Sequence, residues 1–582
     1  MKPIEPMKQE NTTETPVRDN PVTTHKLFVI GLDAATLDVI NPLMEEGLLP
    51  IFQKICKEGA YGELSSTIHP LSPPAWTSFI TGKNPGKHGI YDFVVHKPDS
   101  YELEYTHGGM RNGHSIWKLL SVAGKRVVVV NVPMTYPPEA VNGVLISGFD
   151  SPGTDSGFAY PPHILEEITH NVGSYQLRDY PQGHNPTSFL EHIENLLSFR
   201  RKLTHYMMDN YEWDFFMMVF GELDVVQHAY WQYTDPTFTS ISGTDRERYG
   251  HVIRDTYVKM DSVLGELFSK LSDDTNILVM SDHGAGPCYK AVFINKWLEE
   301  KGLLTYLDSK GKGHYLKLLK NMHHKIKNTI PPAGLEWMKR TFPKLRQKVK
   351  SKMVFSEIDW ANTRVWSFGR ESTNLFINVK GKFPQGTVSP GSEYESLRNW
   401  LIEGLRTLID PDTGEPAVDK VYRGEEVYHG DCMDNAPGLL VTWRNHQYTS
   451  WPGYNDRDRA LFEPSLRHSD YSEWSQLQKG GNHRPNGVIF LRGAGIKKNF
   501  PLNKARIIDL APTILYWMHT PIPTDMDGTI LKSAFEQSYL EANPPKYVEP
   551  DQGYPRGPEP RGYREEEAKV IEERLRSLGY IE

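Results

Sequence analysis

The sequence predicts an α/β protein: a mostly parallel central sheet with helices on both faces and inserted cap or lid segments. Short unbroken apolar runs recur at 26–33, 126–130, 214–220 and 276–280, and a strand buried on both faces, as parallel strands are, reads this way. Longer segments of helical pattern separate them, giving the strand–helix alternation of an α/β sheet. Three of the four runs end in acidic or His-containing loops. In open α/β sheets the crevice outside the carboxyl ends of the strands is where ligands bind.

A chain of 582 residues is too long for one small core, so several domains, or one large domain with insertions, are expected. Its formal charge of -8 argues against binding nucleic acid through overall charge, and no nucleic-acid partner is expected. The three cysteines, Cys56, Cys288 and Cys432, are scattered and offer neither a disulfide framework nor a cysteine-rich zinc site. No apolar run approaches the length of a membrane span. Residues 1–25 are polar, rich in Pro and Thr, and lack the apolar core of a secretory signal, so a disordered leader on a cytoplasmic protein is expected.

Taken in order, 26–33 is the first strand, with Asp33 at its carboxyl end. A helix is predicted over 37–57, closing at Gly59. In the segment 66–93, Ser72 reads as a helix cap with Pro73 at the first helical position, where a missing N–H costs nothing. A hydroxyl there faces the positive end of the helix dipole, a location that suits an anion, although the prolines leave free N–H groups only from Ala75 onward. Further helices are expected at 116–123, 187–210 and 245–271. The strand at 214–220 runs into GELDVVQHAYWQ, and that at 276–280 into Ser281, Asp282 and His283. Residues 301–352 turn abruptly basic and read as an insertion: a solvated face, or an anion-attracting lid. Strands follow at 364–380, 438–443 and 487–492, with helices at 392–408 and from Asp509. The organisation expected is thus a leader (1–25), a first part of the core (26–300), a basic helical insertion (301–360), a second part of the core (361–535) and a Pro/Gly-rich tail with a charged terminal helix (536–582).

Chemistry concentrates in four segments. Asp224 and His228 stand four apart, so a helix would place both on one face to bind one metal. Asp282 and His283 are neighbours at a strand end, where both can turn inward. His483 sits in a glycine-rich loop just before a strand, a setting that lets backbone approach a buried site. With no competing cysteine cluster, Asp and His ligands suit zinc, with manganese as the other candidate. Assembled, they divide into two sites: Asp33, Asp282 and His283 around one ion, with Ser72 as its neighbour and oxygen ligand, and Asp224, His228 and His483 around the other. A metal pair about 4 Å apart can clamp the attacking and leaving oxygens of a phosphoryl transfer. It would also activate Ser72, which no G-x-S-x-G pattern surrounds.

The order of these residues, with the strings SPPAWTSFITGKNPGKHGI, DVVQH, SDHG and GNHRPNG, resembles the alkaline phosphatase superfamily. It looks most like its type I phosphodiesterase and nucleotide pyrophosphatase branch, in the microbial group of predicted phosphohydrolases or phosphomutases. The resemblance implies an alkaline phosphatase-like fold, two zinc ions, a covalent phosphoseryl intermediate at Ser72, and a small phosphoester or nucleotide-like substrate. Three departures stand out. Ser72 replaces the usual threonine, Ala75 stands where an asparagine usually donates to a phosphate oxygen, and Gln227 replaces a glycine, which would alter the mouth of the site. Thr77, Ser78 and Thr81 are alternative nucleophiles by chemistry alone. Lys83, Lys87 and Arg484 flank the site in sequence and are candidates for binding substrate anions. The leading expectation is a metal-dependent phosphoester hydrolase. Alternatives are a phosphomutase or phosphomonoesterase of the same superfamily, or a non-catalytic metal-containing binding protein; a sulfohydrolase is disfavoured because Ser72-Pro-Pro-Ala-Trp lacks the arginine of the C/S-x-P-x-R pattern.

Overall fold

The apolar run at 26–33 forms strand β1 (Leu27–Leu32), all six residues of which are buried. In the computed structural model of the protein, which describes residues 26–154, 157–177, 185–307, 358–369, 372–451, 460–465, 480–550 and 562–577, β1 is the middle strand of a sheet. The others are β2 (Ala60–Ser65), β3 (Val127–Val132), β4 (Gly143–Ser147), β5 (Ala159–Tyr160), β6 (Phe215–Phe220), β7 (Asn276–Met280), β8 (Asn486–Arg492) and β9 (Phe500–Arg506). Among the described residues the order is β9-β2-β8-β7-β1-β6-β3-β4-β5. The sheet is parallel except where β8 runs antiparallel between β2 and β7, and where β5 edges β4.

Side chains along a strand point alternately to the two faces. Phe28, Ile30 and Leu32 therefore enter one apolar cluster, while Leu27 and Val29 enter another. The first cluster is covered by helices that include Glu222–Thr234 and Val252–Ser269, the second by Ser72–Thr81 and Leu510–Trp517. Helices thus cover both faces, as the sequence implies. Two predicted helices are split. Residues 37–57 become Leu37–Glu45 and Pro50–Glu58, because Gly47 turns at φ +77° and Pro50 starts the second helix. Likewise 245–271 becomes Gly243–Tyr249 and Val252–Ser269, parted at Gly250.

The strands predicted beyond residue 361 do not rejoin the central sheet at once. Val365–Phe368, Thr373–Ile377, Leu439–Trp443 and Val418–Arg423 form a separate antiparallel sheet, in that order, with its own apolar cluster around Trp366, Leu375 and Leu439. Only at Asn486 does the chain return to the central sheet. Hydrophobic pattern identifies a strand but not its partner, which is why the sequence merges the two. The leader lies outside the described residues, as do residues 308–357 of the basic stretch and residues 551–561 of the tail. The terminal helix Glu565–Ser577 is docked, with Ile571 and Leu575 buried in the first cluster and the Arg574 guanidinium donating to Phe149 O at 2.8 Å. No described helix is long and apolar enough to cross a membrane.

One close approach fixes the Ser72 helix against β1. A Cβ added at Gly31 would lie 2.7 Å from Trp76 Cη2 and 2.8 Å from Val219 Cγ2. Neither neighbour has room to yield, since both are buried. Gly31→Ala is therefore expected to cost about 1–3 kcal/mol through overpacking, read as a lower urea midpoint at unchanged slope. An unaltered midpoint would show that the Trp76 ring moves aside freely.

Candidate active site

Parallel register brings the distant acids together. Leu27 of β1 pairs with Phe215 of β6 and Asn276 of β7, and Leu32 pairs with Phe220. The three strands therefore end at one level. Asp33 emerges from β1, the helix Glu222–Thr234 from just beyond β6, and Asp282 and His283 from just beyond β7. His483 precedes its strand for a geometric reason: β8 is antiparallel to β7, so its amino end lies where the others have their carboxyl ends. It is carried by a short ribbon in which Gly481–Arg484 pairs with Gly284–Pro287. β2 runs antiparallel to β8, and the loop after it brings Ser72 to the same edge.

All seven sequence-predicted residues, Asp33, Ser72, Asp224, His228, Asp282, His283 and His483, meet here and are buried. Asp224 Oδ1, His228 Nε2 and His483 Nε2 form a triangle with sides of 3.0, 3.1 and 3.2 Å. Ligands at zinc–nitrogen distances of about 2.0–2.1 Å in a tetrahedron stand roughly 3.3 Å apart, so the triangle nearly matches one ion. A second group that could hold an ion is Asp33, Asp224 and His283. Asp224 belongs to both groups, whereas spacing along the chain implies two separate triads. Beside the second, Asp282 Oδ2 lies 3.2 Å from His283 Nε2 and accepts no hydrogen bond among the described residues, while its Oδ1 accepts from the Ala34 N–H at 3.3 Å. Burial, and then the Asp224 charge, push the Asp282 carboxyl up to about 6.

The imidazoles share one orientation. Nδ1 of His228 faces Gly481 O at 2.9 Å, Nδ1 of His483 faces Pro70 O at 2.9 Å, and Nδ1 of His283 faces Gly284 O at 3.1 Å. A carbonyl only accepts, so each Nδ1 carries the proton and each Nε2 turns a lone pair inward. Three lone pairs and the surrounding carboxylates converge on a small volume, an arrangement that a cation satisfies and that repels itself without one. The donor set thus fits divalent metal. Ser72 Oγ stands 3.3 Å from His283 Nε2.

Ser72 is the first residue of its helix rather than the cap, which is Leu71. The Ala75 N–H, expected to be free for an anion, donates to Leu71 O at 3.0 Å. With Pro73 and Pro74 lacking N–H groups, the open amide of this first turn, among the described residues, is that of Ser72 itself. The other hydroxyls are engaged: Thr77 donates to Pro73 O, Thr81 to Thr77 O, and Ser78 meets His88 Nε2 at 3.0 Å.

The flanking cations are all committed within the protein. Lys83 pairs with Asp525, and Lys87 with Asp527 at 2.5 Å. Arg484 projects from the ribbon opposite to His483, by strand alternation, and its guanidinium donates to the carbonyls of His446, of His483 at 3.2 Å and of Pro287 at 2.5 Å. Burial pulls its pKa down to about 10. The acids that hold the lysines lie in the loop at 524–528, where the string TDMDG has the pattern of a turn and nothing more. Gln227, expected at the mouth, is instead buried, its amide donating to Ala34 O at 2.9 Å and Leu223 O at 3.1 Å.

Asp527 allows a pH test. Burial alone would raise its pKa, but hydrogen bonds from Lys87, Asn84 and His429 outweigh it and hold the carboxyl at about 2. A carboxylate depressed on folding stabilises above its unfolded pKa, about 3.9, and loses that contribution as pH falls toward 2. Asp527→Asn is expected to lose about 1–2 kcal/mol equally at pH 7 and pH 5, with the gap to the parent closing only below pH 4. Urea titrations at pH 7, at pH 5 and below pH 4 check this; a gap that already closes between pH 7 and 5 contradicts it.

The model of the type I phosphodiesterase / nucleotide pyrophosphatase family matches residues 27–362. No curated protein matches. Among solved structures, phosphonoacetate hydrolase from Sinorhizobium meliloti 1021, in complex with phosphonoformate, is similar with a TM-score of 0.50 and 15% identity, covering 85% of this chain and 96% of that one. Human ectonucleotide pyrophosphatase / phosphodiesterase 5 aligns with a TM-score of 0.47 and 12% identity, over 88% of this chain and 100% of that one. At such identities the likeness concerns the fold.

Proposed function

The chain belongs to the type I phosphodiesterase / nucleotide pyrophosphatase family, and from this we propose that it is a two-metal phosphoester hydrolase that acts through a phosphoseryl intermediate at Ser72. The observation that carries the reading is the inward convergence of Asp224, His228 and His483 beside the Ser72–His283 contact. Asp224, His228 and His483 hold one ion; Asp33, Asp282 and His283 hold the other, with the Asp224 carboxylate within reach of both. Two divalent ions, zinc before manganese for this ligand set, supply positive charge that lowers the pKa of a hydroxyl and offsets charge on the phosphoryl oxygens.

The residues then divide the work. Ser72 Oγ attacks phosphorus in line, its bond forming as the bond to the leaving oxygen breaks, and the hydroxyl proton given up by Ser72 is balanced by the proton the departing alcohol takes on. The Ser72 N–H, at the positive end of its helix, donates to a phosphoryl oxygen in place of the side chain that Ala75 lacks. Water then attacks phosphorus from the side the leaving group vacated, the bond to Oγ breaks, and Ser72 recovers its proton. Because the Nδ1 protons of the three histidines are held by carbonyls, the rings favour the orientation that keeps each Nε2 inward. The substrate class is a phosphodiester or nucleotide-like ester.

The test is hydrolysis of bis-p-nitrophenyl phosphate and p-nitrophenyl phosphate by the zinc- or manganese-loaded protein. Turnover of the diester above the monoester is expected; a protein that binds metal yet hydrolyses none of these or of a broad phosphoester panel is not this enzyme. Removing metal with a chelator is expected to abolish activity and lower the melting temperature, because binding energy is lost from the folded state alone. Zinc should restore both.

A further inference from the structure

Gln227 joins the two halves of the site. It stands three residues after Asp224 in the helix, so the two side chains are neighbours on its surface, and it directly precedes His228, yet its side chain reaches a different segment. Its amide donates to the carbonyl of Ala34, the residue after Asp33, and its Oε1 accepts from Tyr257 Oη at 3.1 Å. Tyr257, in the helix Val252–Ser269 and fully buried, accepts in turn from the Thr36 N–H at 3.2 Å. Two residues thus grip the loop after β1 at Ala34 and Thr36. That loop needs gripping: Ala34 has a φ of +62°, a left-handed conformation unfavourable for a residue with a Cβ. The same Ala34 donates its N–H to Asp282 Oδ1.

We propose that Gln227, backed by Tyr257, is a positioning residue that sets the separation between the Asp224–His228 pair and the carboxylates of Asp33 and Asp282. One amide ties the helix after β6 to the loop after β1, and through the Ala34 peptide to the loop after β7. The three loops belong to adjacent strands, and the backbone bond from the Asp33 N–H to Phe220 O at 3.0 Å carries the pairing one residue past β1; farther out, side chains hold their spacing. Gln227 is built to do this, with donors to two carbonyls and an acceptor for one hydroxyl. A leucine of similar size makes none of these bonds.

This inference rests on the reading of the Asp/His cluster as a metal centre. The experiment compares zinc affinity and stoichiometry, by competition with a chromogenic chelator, for the parent, Gln227→Leu and Tyr257→Phe, with melting temperatures of the metal-free and zinc-loaded forms. Gln227→Leu is expected to weaken the poorer zinc site about tenfold, and to narrow the gap between the two melting temperatures. Tyr257→Phe should act in the same direction by a smaller factor, and the double variant should lose less affinity than the two single losses combined, because the two side chains share the Tyr257–Gln227 bond. A purely structural role would lower both melting temperatures together and leave zinc affinity within twofold of the parent; that result overturns the inference while the metal centre stands. Failure of the parent itself to take up zinc or manganese overturns both. Should Gln227→Leu not fold, the zinc affinity of Tyr257→Phe decides: unchanged, it refutes the linkage.

Discussion

Ser72→Ala is expected to reduce turnover at least about a thousandfold while the protein still binds two equivalents of zinc. The Asp224, His228 and His483 triangle makes no use of the hydroxyl, and Asp33, Asp282 and His283 remain beside the vacated position. The substitution creates little strain, since Leu71, not Ser72, is the cap of the helix and the Ala75 N–H donates to Leu71 O. Ser72→Thr should retain much of the activity, because the hydroxyl is kept at the same branch of the chain. Acid-quenched parent enzyme caught during turnover should carry phosphate on the peptide that contains Ser72. Residual turnover within tenfold of the parent in Ser72→Ala would move the nucleophile to water and remove the covalent step from the mechanism.

Asp224→Asn has the larger effect on metal. Its carboxylate belongs to both ligand groups, so one neutralised oxygen weakens two sites at once. The parent is expected to bind two zinc ions and Asp224→Asn fewer than one at the same free zinc, with activity lost in parallel. His228→Ala, whose ring contributes to one group only, should keep close to one equivalent. Metal content after exhaustive dialysis, set beside a far-ultraviolet spectrum to show that each variant is folded, separates the two. If Asp224→Asn and His228→Ala lose the same single equivalent, Asp224 serves one ion and the shared carboxylate is an accident of proximity.

Much of this centre is legible in the order of the residues along the chain. Asp33, Asp224 and the Asp282–His283 pair each follow an apolar run, and that placement alone points to one edge of a parallel sheet. Four-residue spacing puts Asp224 and His228 on one helix face. What residue order cannot show is instructive at Lys83, Lys87 and Arg484. Position near the site in sequence suggests substrate contacts, but the first two meet acids more than four hundred positions away and the third meets three carbonyls. A cation's partner is set by what the fold brings opposite it. Tyr257 offers no signal at all, because a buried tyrosine in a helix has the same sequence pattern whether its hydroxyl supports a metal site or packs elsewhere.

By itself the sequence determined the α/β class, the strands that end in acids, the six Asp and His residues that converge and Ser72 as their neighbour, because each follows from local pattern: burial on two faces, helical spacing, and a helix start. Tertiary structure alone decided how those residues divide. Level register of β7, β1 and β6 placed Asp224 between both ligand groups, antiparallel β8 carried His483 in from the opposite direction, and Gln227 turned from the mouth to the Ala34 carbonyl. The reason is physical: pattern along the chain reports whether a residue is buried and on which face, whereas distances between ligands depend on strand order and register, which are set by pairings between segments hundreds of residues apart.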